Sequence, residues 1–233
     1  MKSKKVLYMS GWAQKPNFPK GLFEDKYQNQ QLLSFDYSLS NNFDNFVASF
    51  IKSNINPEIA IGWSLGGQLT CRLIEKKIIN PKILILVGTP FQFVKSAAIA
   101  SAMPKKSFDQ FYHNFISNPD ITLKKFSLLM NIKDKNSKEL ASNLDVNDKN
   151  YKNLAFWLEE LEKFSCFDIN FNNFPKTLIF HGKKDMVVHE SQSILFKERI
   201  NNSELFLIDD CGHTPLLTNF NFIKKIIEQR SLF

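Results

Sequence analysis

The chain has 233 residues, with 30 Lys+Arg against 23 Asp+Glu and a formal net charge of +7. Hydrophobic residues make up 43%, including 23 Phe, which supplies a sizeable core and excludes a disordered chain. No apolar run approaches the roughly 18 residues of a membrane span, and arginine is limited to Arg72, Arg199 and Arg230, which argues against nucleic acid as the partner.

The predicted elements begin with a strand at Val6–Met9, a run too short for the apolar region of a signal peptide, so a cytoplasmic protein is expected. A second strand is predicted at Leu32–Phe35. Asn41 or Asn42 is a candidate cap for a helix carrying Phe43, Phe46, Val47, Phe50 and Ile51 at helical spacing, with Pro57 as its stop. A strand at Ile59–Ile61, a helix over 65–77 and a strand at Ile83–Val87 follow. Strands that lack polar alternation and are separated by helices predict a parallel sheet covered on both faces.

From Phe91 to about Phe171 only helical periodicity is found, in Phe108, Phe111, Phe115, then Leu123, Phe126, Leu129, then Leu154, Trp157, Leu158, Leu161. The alternation resumes with a strand at Thr177–Phe180, a helix over 190–199, a strand at Leu205–Ile208 and a final helix over 218–230. One structural unit is expected, with an α/β core of residues 1–90 and 171–233 and a helical cap inserted at 91–170. Cys71, Cys166 and Cys211 are odd in number and far apart, which argues against a disulfide framework or a zinc site.

Strand, then Gly62-Trp63-Ser64-Leu65-Gly66, then helix is the context of a nucleophile elbow. Its glycines let strand and helix approach closely, so the serine hydroxyl projects from the carboxyl edge of the sheet. A serine nucleophile needs a base, and the base needs an orienting acid. Asp185 lies just beyond the strand at Thr177–Phe180, and His213 follows the last strand in Cys211-Gly212-His213. Ser64, Asp185 and His213 are therefore the candidate triad. Asp168, Asp209 and Asp210 compete for the acid, and His113, His181 and His189 for the base. The N–H groups of Leu65 and Trp12, the latter in the loop Ser10-Gly11-Trp12-Ala13, are the candidate oxyanion donors. The Trp12 indole could also wall an acyl pocket.

These residues resemble the α/β-hydrolase superfamily along the whole chain. Gly11-Trp12, Gly62-Trp63-Ser64-Leu65-Gly66-Gly67 and Cys211-Gly212-His213-Thr214-Pro215 are similar to the pimeloyl-[acyl-carrier protein] methyl ester esterases of biotin synthesis. Thr122-Leu123-Lys124-Lys125-Phe126-Ser127-Leu128-Leu129-Met130 looks like that family's lid, where basic residues receive the carrier protein. Asp168 falls where the family has a similar Asp. Ser10-Gly11 stands in place of the superfamily's usual His-Gly, and its opening antiparallel hairpin is expected to be missing. Phe35-Asp36-Tyr37 is similar to a second, shorter group of esterases with the same role.

The resemblance implies an α/β-hydrolase fold with a mostly parallel sheet and an inserted helical lid. It implies hydrolysis of the methyl ester of a pimeloyl chain borne on an acyl carrier protein, by a monomer that needs no cofactor, metal, nucleic acid or membrane. Trp63, Phe111, Phe115, Lys105, Lys106, Lys124 and Lys125 are the candidate substrate and carrier contacts. Residues 95–138 hold eight Lys against three Asp, and 139–170 three Lys against seven acids. Lys105, Lys106, Lys124, Lys125, Lys133, Lys135 and Lys138 thus put positive charge on the first half of the lid, fit for a compact acidic protein. Two alternatives stand beside this reading: another small serine acyl-hydrolase (a short-chain carboxylesterase, a thioesterase or a lyase on the same triad) and a non-catalytic binding module on the same fold.

Overall fold

The computed structural model describes residues 4–17, 30–134 and 150–230; Lys135 and Lys138 lie outside them. Six strands form one sheet: β1 (Lys4–Met9), β2 (Gln30–Ser34), β3 (Ile59–Trp63), β4 (Ile83–Val87), β5 (Lys176–Gly182) and β6 (Ser203–Ile208). Their order is β2-β1-β3-β4-β5-β6 and every pair is parallel. β3 and β4 are buried along their whole length, which explains why their sequences are unbroken apolar runs.

Among the described residues the α-helices are α1 (Phe43–Lys52), α2 (Leu65–Glu75), α3 (Lys105–Ser117), α4 (Pro119–Asn131), α5 (Tyr151–Lys163), α6 (Ser191–Arg199), α7 (Pro215–Thr218) and α8 (Phe220–Gln229). Asn42 caps α1 by accepting from the Asn45 N–H at 2.7 Å. The helix stops before Pro57 because Asn54 turns left-handed at φ 52°. The predicted final helix over 218–230 is α8; a short α7 opened by Pro215 precedes it, and Asn219, at φ −129° and ψ 28°, separates the two.

Chain direction around the sheet reverses between β1 and β3, so the loops leaving these adjacent strands diverge at their carboxyl ends, the position where open parallel sheets generally bind ligands. Ser10-Gly11-Trp12 leaves β1 there and Ser64 leaves β3. Between β4 and β5 the chain runs through α3, α4 and α5 and returns where it left. The Cys166 N–H donates to Phe91 O at 2.8 Å, and the Phe91 and Gln92 N–H groups both donate to Gln192 Oε1. α5 is pinned to α2 by an Arg72–Glu160 ion pair at 2.9 Å, both side chains largely buried, with the Arg72 guanidinium 3.4 Å from the Phe43 ring centroid.

The crossing of α2 over the sheet tolerates no side chain. A Cβ on Gly66 would lie 2.2 Å from Met9 O and 2.5 Å from Ser10 O, both backbone atoms of the β1 edge. Gly66→Ala is therefore expected to lower stability by about 3 kcal/mol or more, read as the urea unfolding midpoint. A midpoint equal to that of the unaltered protein would refute this close packing.

Candidate active site

Ser64 sits between β3 and α2 with φ 54° and ψ −122°, a left-handed backbone conformation uncommon for a residue with a Cβ. The turn is held because the Ser64 N–H donates to Val87 O at 2.9 Å while Ser64 O accepts from Gly67 N–H at 2.9 Å. Gly62 and Gly67 touch: a Cβ on Gly62 would be 2.4 Å from Gly67 Cα. The strained turn thus lifts the hydroxyl off the sheet edge at the N-terminus of α2, whose dipole favours negative charge.

His213 Nε2 lies 3.0 Å from Ser64 Oγ, and His213 Nδ1 lies 2.6 Å from Asp185 Oδ2. Nδ1–H donates to the carboxylate, which leaves Nε2 free to accept from the serine hydroxyl. The other oxygen, Asp185 Oδ1, accepts from the Val187 and Val188 N–H groups at 2.8 and 2.9 Å. Burial alone would raise the Asp185 pKa. The positive charge available on His213 and hydrogen bonds from His181 and His213 outweigh it and hold the carboxyl below the ordinary carboxylate range.

The competing residues lie elsewhere. Asp168, His113 and His189 are exposed, and Asp209 and Asp210 pair with Lys183 and Lys184. His181 is different. It is fully buried, with Nε2 2.8 Å from Val188 O and 3.2 Å from Asp185 Oδ2. A carbonyl can only accept, so Nε2 carries the proton, and the ring ties the 185–188 turn together beneath the Asp185 carboxylate. Its place at a strand end was visible in sequence; its contact with Asp185 was not.

Gly11 lies against Ser64: a Cβ there would be 3.3 Å from Ser64 Cβ. The N–H groups of Trp12 and Leu65 donate to no other described residue. The Trp12 indole is packed among aromatic rings. It is buried, donates from Nε1 to Leu154 O at 2.8 Å, and meets Phe111, Phe115 and Phe126 edge-on at centroid distances of 5.1–5.6 Å. Phe115 also lines a cavity of about 530 Å³ with Tyr112, Pro119, Tyr151 and Phe156, whose lining includes none of Ser64, His213 or Asp185.

Trp63 is buried too, and its Nε1–H donates to His213 O at 2.8 Å. It therefore holds His213 from behind. A second grip comes from α4. His213 N–H donates to Met130 O at 2.8 Å, Gly212 N–H donates to Asp134 Oδ2 at 3.3 Å, and Thr214 Oγ1 donates to Asn131 Oδ1. Asn131, fully buried at the end of α4, carries no sequence signal for this role.

Lys106, Lys124, Lys125 and Lys133 are exposed on α3, α4 and the turn after α4. Lys105 is exposed as well but paired with Asp109 and with Glu162 at 2.8 Å. No described helix is long and apolar enough to cross a membrane.

A family model described as alpha/beta hydrolase fold matches residues 10–220. A pimeloyl-[acyl-carrier protein] methyl ester esterase of Nitrosospira multiformis is 26% identical over 165 residues, covering 69% of this chain and 63% of that protein. One of Aromatoleum aromaticum is 25% identical over 172 residues, covering 69% of this chain and 68% of that protein. The match to the first of these spans just under two thirds of that relative's length. In fold, the chain is similar to an esterase from Exiguobacterium antarcticum, with a TM-score of 0.81 and 17% identity over 98% of this chain and 92% of that one. It is also similar to a hydrolase from Oleispira antarctica, with a TM-score of 0.83 and 14% identity over 98% and 91%.

Proposed function

Because the chain belongs to the alpha/beta hydrolase fold family, we propose that it is a serine carboxylesterase that hydrolyses the methyl ester of a pimeloyl chain carried on an acyl carrier protein. The observation that carries the esterase reading is the unbroken line of hydrogen bonds from Ser64 Oγ through His213 to Asp185 at the carboxyl edge of the sheet. The relatives named for pimeloyl-[acyl-carrier protein] methyl ester hydrolysis support the substrate.

In this mechanism His213 Nε2 takes the Ser64 proton as Oγ attacks the ester carbonyl carbon. The developing oxyanion accepts from the N–H groups of Leu65 and Trp12, neither of which donates to another described residue. Collapse expels methoxide, which leaves as methanol with the proton from His213. Water, deprotonated by the same nitrogen, then attacks the acyl-enzyme and frees the carboxylate and Ser64. Asp185 keeps His213 in the tautomer that can accept and stabilises the imidazolium.

Carrier proteins are acidic, and the exposed Lys106, Lys124, Lys125 and Lys133 offer them a complementary surface. Lys105 contributes less, since its charge is already met by Asp109 and Glu162. The test compares the methyl ester on the carrier with the same ester on free pantetheine. Lys124→Glu with Lys125→Glu is expected to raise KM for the carrier-borne ester about tenfold or more and to leave the pantetheine ester unchanged. Equal effects on both would remove the carrier from the reading, and no hydrolysis of either by the unaltered protein would remove the substrate.

A further inference from the structure

We infer that Tyr37 is a positioning residue for the oxyanion hole, its hydroxyl fixing the peptide unit that presents the Trp12 N–H. The inference rests on the serine-esterase reading and deepens it.

The Gly11 carbonyl and the Trp12 N–H belong to one peptide unit. In a trans peptide they lie in one near-rigid plane and point in opposite directions, so whatever holds the carbonyl aims the N–H. Gly11 O accepts from Tyr37 Oη at 2.6 Å and from the Gln14 N–H at 3.1 Å. With its carbonyl tethered twice, this unit cannot rotate in place, although a glycine on one side would otherwise give it freedom. Gly11 itself packs on Ser64, so this peptide borders the reacting hydroxyl.

Tyr37 is in turn held on every side. It opens a 3-10 turn, Tyr37–Leu39, capped by Asp36, whose Oδ1 accepts from the Ser38 N–H at 2.9 Å. Trp157 of α5 donates from Nε1 to Tyr37 O and to Ser40 O, both at 3.0 Å, and its ring meets the Tyr37 ring edge-on at 5.2 Å. α5 also accepts the Trp12 indole N–H at Leu154 O. One helix between β4 and β5 therefore braces both the oxyanion loop and the residue that aims it. Burial, then the neighbouring Asp36 and Tyr8, hold the Tyr37 hydroxyl well above its ordinary pKa, so it remains a donor through the working range of an esterase.

Preorganised donors matter most when charge develops, so the hydroxyl should weigh on the transition state and little on the bound ester. Tyr37→Phe removes only the oxygen. With p-nitrophenyl butyrate as probe, kcat is expected to fall on the order of 10- to 100-fold with KM within about twofold, short of the roughly 100- to 1,000-fold that loss of a whole donor costs. Affinity for a short alkyl trifluoromethyl ketone, whose Ser64 adduct carries the oxyanion, is expected to weaken in parallel. A merely structural role would move the thermal midpoint without that parallel.

Tyr37→Phe equal to the unaltered protein in kcat, or a fall in kcat with unchanged ketone affinity, would overturn the inference alone. Absence of any fluorophosphonate adduct on Ser64 in the unaltered protein would overturn the esterase reading and the inference with it. Should Tyr37→Phe not fold, Trp157→Phe, which releases the Tyr37 carbonyl, is expected to lower kcat and ketone affinity together; loss of neither would overturn the inference.

Discussion

Ser64→Ala is expected to abolish ester hydrolysis, with kcat lower by about 10^6-fold, the scale of losing the nucleophile of an intact triad. The substitution removes Oγ and nothing else. His213 Nε2 loses its partner at 3.0 Å, but Asp185, Trp63 and the Met130 carbonyl still hold the ring and its loop. The folded protein should persist, so the loss reads as chemistry. Retained turnover, or retained labelling by a fluorophosphonate probe, would end the claim that Ser64 is the nucleophile. Ser64→Gly offers an internal control. At φ 54° a Cβ costs about 1 kcal/mol, so the glycine variant should be inactive yet slightly more stable in urea.

Asp185→Asn is expected to reduce kcat about 10^4-fold while leaving the site's shape intact. The reason lies in the four donors around the carboxylate. Oδ1 accepts from two backbone N–H groups that have no other role, so the amide carbonyl of an asparagine must stay there. Its NH2 then faces His213 Nδ1 and His181 Nε2, which are both donors in the native site. His213 can relieve that clash by moving its proton to Nε2, where it can no longer accept from Ser64. The variant should still bind ester with little change in KM. An activity within tenfold of the unaltered protein would show that the acid does not set the tautomer.

The same carboxylate has a signature in stability. Its folded pKa is depressed, so its contribution is fully present above the unfolded value near 3.9 and is lost as pH falls through the folded value. Asp185→Asn removes that contribution. The stability difference between the two proteins should therefore be largest above about pH 5 and shrink on acidification below pH 4, in urea titrations at fixed salt.

Much of this was legible in the chain because it is local. β3 and β4 are continuous apolar runs since both faces of a central parallel strand are buried. The elbow at Ser64 is written in adjacent glycines whose absent side chains are demanded by contacts of 2.0–2.8 Å. Asp185 and His213 were candidates because each follows a strand end, and parallel strands deliver all their carboxyl ends to one edge.

What could not be read is what crosses space. Trp63 was a candidate substrate contact and the Trp12 indole a candidate pocket wall; the structure shows what else they do, their indole N–H groups donating to His213 O and Leu154 O. A tryptophan beside a catalytic residue looks the same in sequence whether it contacts ligand or braces backbone. Asn131 and Tyr37 bear no motif for their contacts with Thr214 and Gly11. Their partners come within reach only through the packing of helices on loops distant in the chain. The short α7 before the last helix was not read, because its four residues carry no helical periodicity.

By itself, then, the sequence determined the α/β alternation, the strained serine turn and the placing of Ser64, Asp185 and His213 beyond strand ends, since each is set by the backbone requirements of neighbouring residues. Only the tertiary structure decided which groups hold those atoms still. That support comes from α4 on the His213 loop and from α5 on Trp12 and Tyr37. Its hydrogen bonds join segments far apart in the chain, and a pairing of that kind exists only once the core has brought both partners out of water and into register.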